Sequence, residues 1–134
     1  MKSFSYQIIV LFLLSTFVTF AQSNEKQVKQ AETLLSEAGH AFVDLEVDKS
    51  LNLSKKALNI AHQINDDVLM AKAYNLIGLN FEEFYDIKKG VEYYEKALHH
   101  ANLSTNDSIK CWVSNNLGNV YSYRKNNLKK RIAY

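Results

Sequence analysis

Asn75-Leu76-Ile77-Gly78-Leu79-Asn80-Phe81 and Asn115-Asn116-Leu117-Gly118-Asn119-Val120-Tyr121 stand 40 positions apart and share one frame: a leading asparagine, an aliphatic residue directly before glycine, and an aromatic three residues after it. A second pair keeps the same spacing. Ser54-Lys55-Lys56-Ala57-Leu58-Asn59-Ile60-Ala61 returns as Tyr94-Glu95-Lys96-Ala97-Leu98-His99-His100-Ala101. Two segments of different character recur in the same order, so a single chance match does not account for them. A repeat architecture is the first reading.

Each unit reads as two helices. Val68, Ala71, Tyr74, Ile77, Gly78, Phe81 and Phe84 recur at three- and four-residue steps, the spacing of one helical face. Asp66 and Asp67 before them are suited to an N-cap and a first turn. A break near Tyr85-Asp86 follows. Ile87, Val91, Tyr94, Ala97, Leu98 and Ala101 then mark a second helix, and the polar stretch Asn102 to Asp107 reads as the joint to the next unit. The preceding unit shows its second helix over Asp48 to Ile64 and a first helix over about Ala31 to Leu45. Gly78, Gly118 and Ala97 are expected where helices cross, with Gly78 facing Ala97. A larger side chain there would push the axes apart, and overpacking of that kind typically costs about 1–3 kcal/mol. The 134 residues contain no proline, which suits long helices with short joints.

With these residues placed, Ala71 to Ser104 resembles one unit of the tetratricopeptide repeat (TPR) family. Tyr74 stands at the family's tryptophan position, Ile77-Gly78 at its Leu-Gly, Phe81 at its first tyrosine, and Gly90 at its first alanine. Tyr94, Ala97 and Asn102 take the later aromatic, alanine and proline places. Leu117-Gly118 and Tyr121 carry the pattern into the next unit, and Ala38 and Ala41 into the preceding one. The chain departs from the family at Glu37, in a leucine place, and at Arg131, where a small residue is expected. One extra residue precedes Leu128. The spacing also exceeds the usual period of about 34 residues, with the surplus falling between units. The resemblance implies an all-α, right-handed α-solenoid of antiparallel helix pairs over residues 22–134, with units of about 31–65, 66–104 and 105–134, the last incomplete.

The resemblance also implies a protein- or peptide-binding scaffold without catalysis, presenting a concave groove lined by the first helix of each pair. Family geometry places Asn75, Leu79, Glu82 and Glu83 there from one unit, and Trp112, Asn115, Asn116, Asn119 and Ser122 from the next. Each asparagine amide both donates and accepts, as bracketing an extended backbone requires. Trp112 reads either as an anchoring aromatic or as a residue packed on a following helix. The lysine and arginine clamp that some family members use for C-terminal carboxylates is missing from these positions.

Residues 1–21 read as a secretory signal peptide: Lys2, an apolar run from Ile8 to Phe20, and Thr19-Phe20-Ala21 before a cut ahead of Gln22. The expected location is the periplasm or exterior of a Gram-negative bacterium, with an uncleaved signal anchor as the alternative and no membrane contact beyond the leader. The third unit stops inside its second helix, expected near Leu128, so a truncated or frame-shifted product is expected. Exposed apolar surface over 105–125, and self-association through that uncapped unit, follow from it. The alternative function is the sensor portion of an envelope signalling protein, a histidine kinase or transcriptional regulator, whose effector is missing.

Charge and motifs narrow the remaining classes. Net charge is +2, and Lys2 is the only charged residue of the leader, so nucleic acid is not expected as a partner. From Lys110 to Arg131 every charge is positive; a solvated helix end is the plain reading and a polyanion site the alternative. The lone Cys111 reads as a small buried core thiol. His99-His100 reads as a solvated helix end, since adjacent helical residues point about 100° apart and cannot share a metal. No phosphate loop, catalytic triad or zinc motif is present, so no enzyme activity, cofactor or metal is expected.

Overall fold

The computed structural model describes residues 2–132, with side chains described for residues 22–123. The described chain is all α-helical: α1 (Lys2–Val43), α2 (Val47–Ile64), α3 (Asp67–Phe84), α4 (Ile87–Leu103) and α5 (Asp107–Ile132). No described helix is long and apolar enough to cross a membrane. The signal-peptide reading falls on residues whose side chains lie outside those described. α5 runs without interruption to Ile132, so the joint expected before Leu128 is not found.

The four joints are each two or three residues long, and their hydrogen bonds show why the chain turns there. After α1, Leu45 takes a left-handed backbone (φ 62°). Glu46 N–H then reaches Ala41 O (2.8 Å) and Leu45 N–H reaches Phe42 O (3.1 Å), which satisfies two carbonyls at the helix end. Asn65 does the same after α2 at φ 54°, with Asp66 N–H donating to Ala61 O. Asparagine tolerates this conformation because its short polar side chain can bond locally; leucine does not share that advantage. The next helices start on side-chain caps. Asp66 accepts from Leu69 N–H, Asp86 from Lys88 N–H, and Asn106 from Ile109 N–H.

The helices pack as sequence neighbours, and in addition α1 meets α3 and α3 meets α5. α3 is therefore enclosed. Leu69, Met70, Ala73 and Leu76 join Ala31, Leu35, Ala38, Ala57 and Ala61 of α1 and α2 in one core cluster. On its other side Ala71 joins Ala97 and Ala101 of α4 and Ile109 and Val113 of α5. The 40-residue repeat shows in the burial itself. From Ser50 to Ala61 and from Gly90 to Ala101, each residue has the same degree of exposure as its counterpart 40 places on. Each fully buried Leu or Met of these clusters contributes about 1.5–3 kcal/mol.

The α3–α4 crossing departs from expectation in its partner. A Cβ added to Gly78 would lie 2.8 Å from the Tyr94 ring and 3.2 Å from the Gly90 carbonyl; Ala97 is not among its nearest neighbours. A Cβ on Gly90 would come within 2.9 Å of the Glu82 backbone nitrogen. Two glycines thus let the axes close around one buried aromatic. The Tyr94 hydroxyl donates to Glu82 Oε2 (2.5 Å). Burial first, and then that bond, hold the Tyr94 phenol well above its usual range. Gly118 departs too: α4 lies on the opposite side of α5, and an added Cβ at Gly118 would meet nothing within 4 Å.

Two further expectations change. Cys111 is exposed, because α5 buries Ile109, Val113 and Val120 and a residue two places from Ile109 is turned about 200° away. His100 is not a solvated end. Its Nδ1–H donates to Asp67 Oδ1 (2.8 Å), and its ring stacks on Tyr74 at 5.6 Å. Tyr74 stacks on Tyr93, and Tyr93 on Phe81, so aromatics from the two antiparallel helices alternate in a ladder. Lys96 lies 5.0 Å from the Tyr93 ring and Lys89 4.9 Å from Phe81. As expected for residues 105–125, large apolar groups are exposed there: Trp112 at 38%, Tyr121 at 47% and Tyr123 at 60%.

Candidate functional site

α1, α3 and α5 share one side of the molecule because each odd-numbered helix meets the next. Between them lies an open groove of about 530 Å³. α1 supplies Leu35, Ser36, Gly39, His40 and Val43, which fall on one face at helical spacing. α3 supplies Lys72 and Leu76, four residues apart, and α5 supplies Trp112. The floor is apolar, with Leu35 and Leu76 nearly buried and the Trp112 ring 38% exposed as a wall. The rim is polar: Lys72 Nζ stands 4.0 Å from Glu32 Oε1 across the gap between α1 and α3. A Cβ added at Gly39 would meet nothing within 4 Å, so the absence of a side chain there keeps the groove open. Such a volume is in the range of small-ligand clefts, and its lining suits an apolar side chain with polar groups at its edge.

The residues named from sequence are dispersed. Trp112 lines the groove. Asn75 is fully buried, one residue and about 100° of turn before Leu76, and its Oδ1 accepts from Asn116 Nδ2 (3.0 Å). Its own Nδ2 is buried and has no hydrogen-bond partner among the described residues. Leu79 packs on the core clusters. Glu82 and Glu83 border a separate cleft of about 410 Å³ with Ile87 and Tyr123. Asn115, Asn119 and Ser122 are exposed on α5.

The chain matches no family model, no curated protein and no solved structure. The groove must therefore be read from its own residues. Among the described residues no group of three or more His, Cys, Asp or Glu side chains is placed to hold a metal ion.

The lining missed from sequence had a signal. Glu32, Lys72 and Trp112 are each 40 positions apart and all border the groove, as do Ser36 and Leu76 at the same spacing. Projecting Trp112 back through the repeat would have found the α1 and α3 contributions.

Proposed function

We propose that this chain is a non-catalytic, TPR-like solenoid that holds a peptide or a segment of another protein in the α1–α3–α5 groove. The observation that carries the reading is the groove itself: an apolar floor of Leu35 and Leu76, with Glu32, Lys72 and an accessible Trp112 standing at one register on three successive odd-numbered helices. An extended peptide laid across these helices would bury one apolar side chain between Trp112 and Leu76 and leave its backbone to the rim groups. Aromatic anchors of this kind carry a large share of binding energy at protein interfaces. The apolar leader read from residues 1–21 supports an exported, periplasmic setting for the scaffold.

Trp112 is the only tryptophan, so its emission reports the groove alone. Peptides selected from a random library on the full chain are expected to shift Trp112 emission to the blue on titration. Gly39→Leu fills the groove at a position with free space, and it exchanges glycine for a better helix former. That variant should stay folded and lose the response. Selected peptides that bind Gly39→Leu as well as the parent would sink the assignment.

A further inference from the structure

Glu32, Lys72 and Trp112 stand at one level of α1, α3 and α5 and differ in chemistry: an anion, a cation and an aromatic ring. Side chains join the three helices, Lys72 to Glu32 between α1 and α3, and Asn116 to Asn75 between α3 and α5. Helix axes at such contacts lie about 8–10 Å apart, so the three groups form a row with that spacing. The Lys72–Glu32 separation of 4.0 Å is too long for a hydrogen bond, and the two side chains are 32% and 57% exposed. The ammonium therefore keeps its donors, and the carboxylate its acceptors, for a third group. The spacing of the row also selects a backbone. In a polyproline II chain, side chains three places apart share one face and stand about 9 Å apart, one for each helix. In a β-strand the side chains of one face are two places apart, at about 7 Å, and drift out of step with the row.

Building on the peptide-binding reading of the groove, we infer that its ligand is a polyproline II segment of another protein with charges in a fixed order. An apolar residue sits between Trp112 and Leu76. An acidic residue three places from it lies opposite Lys72, and a basic residue six places from it lies opposite Glu32. Charge complementarity along the row sets this order, and the three-residue period of the ligand sets its spacing. A second copy does not offer such a segment. Basic, acidic and apolar residues in this order at three-place steps occur twice in the chain, in either direction. Lys29, Glu32 and Leu35 lie within α1, where steps of three cover only about 4.5 Å. Val43, Glu46 and Lys49 span the end of α1 and the start of α2, and Lys49 is already bonded to Glu46 at 2.6 Å.

The probe is a proline-rich peptide, blocked at both ends and free of tryptophan, with leucine as the apolar residue and glutamate and lysine three and six places from it. It is made in both chain directions and titrated onto the full chain, with Trp112 emission as the readout. One direction should bind about tenfold more tightly than the same peptide with glutamate and lysine exchanged, because exchange removes two exposed ion pairs and sets like charges together. Glu32→Lys combined with Lys72→Glu keeps the attraction between the two residues and should invert the preference, with helicity unchanged by circular dichroism. Moving the charged residues to two and four places from leucine should weaken binding to the parent chain. The inference fails if both charge orders bind equally in both directions, or if the double variant keeps the parent's preference. Library peptides that move Trp112 emission on the parent chain and not on Gly39→Leu would then leave the groove reading standing, whereas silence from every peptide ends both. It also fails if Trp112 is shielded from acrylamide before any peptide is added. Shielding that grows with protein concentration means a second copy fills the groove, and constant shielding means the chain's own residues do.

Discussion

Gly78 and Gly118 occupy the same place in successive units, and alanine should stabilise the chain at Gly118 but not at Gly78. The intrinsic helix preference of alanine over glycine is about 0.8–1.0 kcal/mol and applies to both sites. At Gly118 nothing lies within 4 Å of the added Cβ, so that preference should appear almost undiminished as stabilisation. At Gly78 the new Cβ would lie 2.8 Å from two carbons of the Tyr94 ring and 3.2 Å from the Gly90 carbonyl. The ring is fully buried and tied to Glu82, and the carbonyl is backbone, so neither yields without moving α4. Overpacking of this kind costs about 1–3 kcal/mol, which leaves Gly78→Ala from neutral to about 2 kcal/mol destabilised. The difference between the two variants cancels the propensity and isolates the contact, about 1–3 kcal/mol. Urea unfolding of both variants at matched m-values measures it. Tyr94→Leu in the Gly78→Ala background should recover part of the loss. Equal stabilities for the two alanine variants would refute the close α3–α4 approach.

Further outcomes follow from single residues. Leu45 is 70% exposed and sits in the left-handed region, a conformation that costs a leucine about 1–2 kcal/mol, so Leu45→Gly should raise the unfolding free energy by about 1 kcal/mol. Tyr94 has its phenol pKa raised in the folded state, so its contribution is complete below about pH 10, the unfolded value, and is lost as pH rises toward the folded one. Denaturant titrations from pH 9 to 11 should show stability falling above about pH 10, and Tyr94→Phe should reduce that slope whatever its effect at neutral pH. Tyr74, also raised by burial, should leave a residual slope.

The fold was legible wherever one residue type carries its own reason. Asp66 announces a helix start because a short carboxylate can satisfy a free N–H, and it does so with Leu69. Ala57 and Ala97 mark crossings because only small groups fit, and both are fully buried. The Leu45 turn was less legible, since leucine gives no sign of a left-handed backbone. His100 could not be placed because its partner, Asp67, comes 33 residues earlier and reaches it only once α3 and α4 lie antiparallel. The groove was half legible. Trp112 was placed in the groove, with packing on a following helix left as the alternative, and it lines the groove. Asn75, read as lining, turns instead to Asn116 because the exact rotation of α3 depends on what α1 and α5 place beside it. Ser50 carried no signal in the sequence, yet it is buried: its hydroxyl donates to Ala38 O and accepts from Asn80 Nδ2, linking three helices.

Amide chemical-shift mapping of the full chain with a library-selected peptide tests the binding groove most directly. The expected shifts gather on Leu35, Gly39, Val43, Lys72, Leu76 and Trp112, along the odd-numbered helices, and vanish in Gly39→Leu. Shifts confined to the outer surfaces of α2 and α4, with Trp112 unmoved, would contradict a ligand held on the inner row.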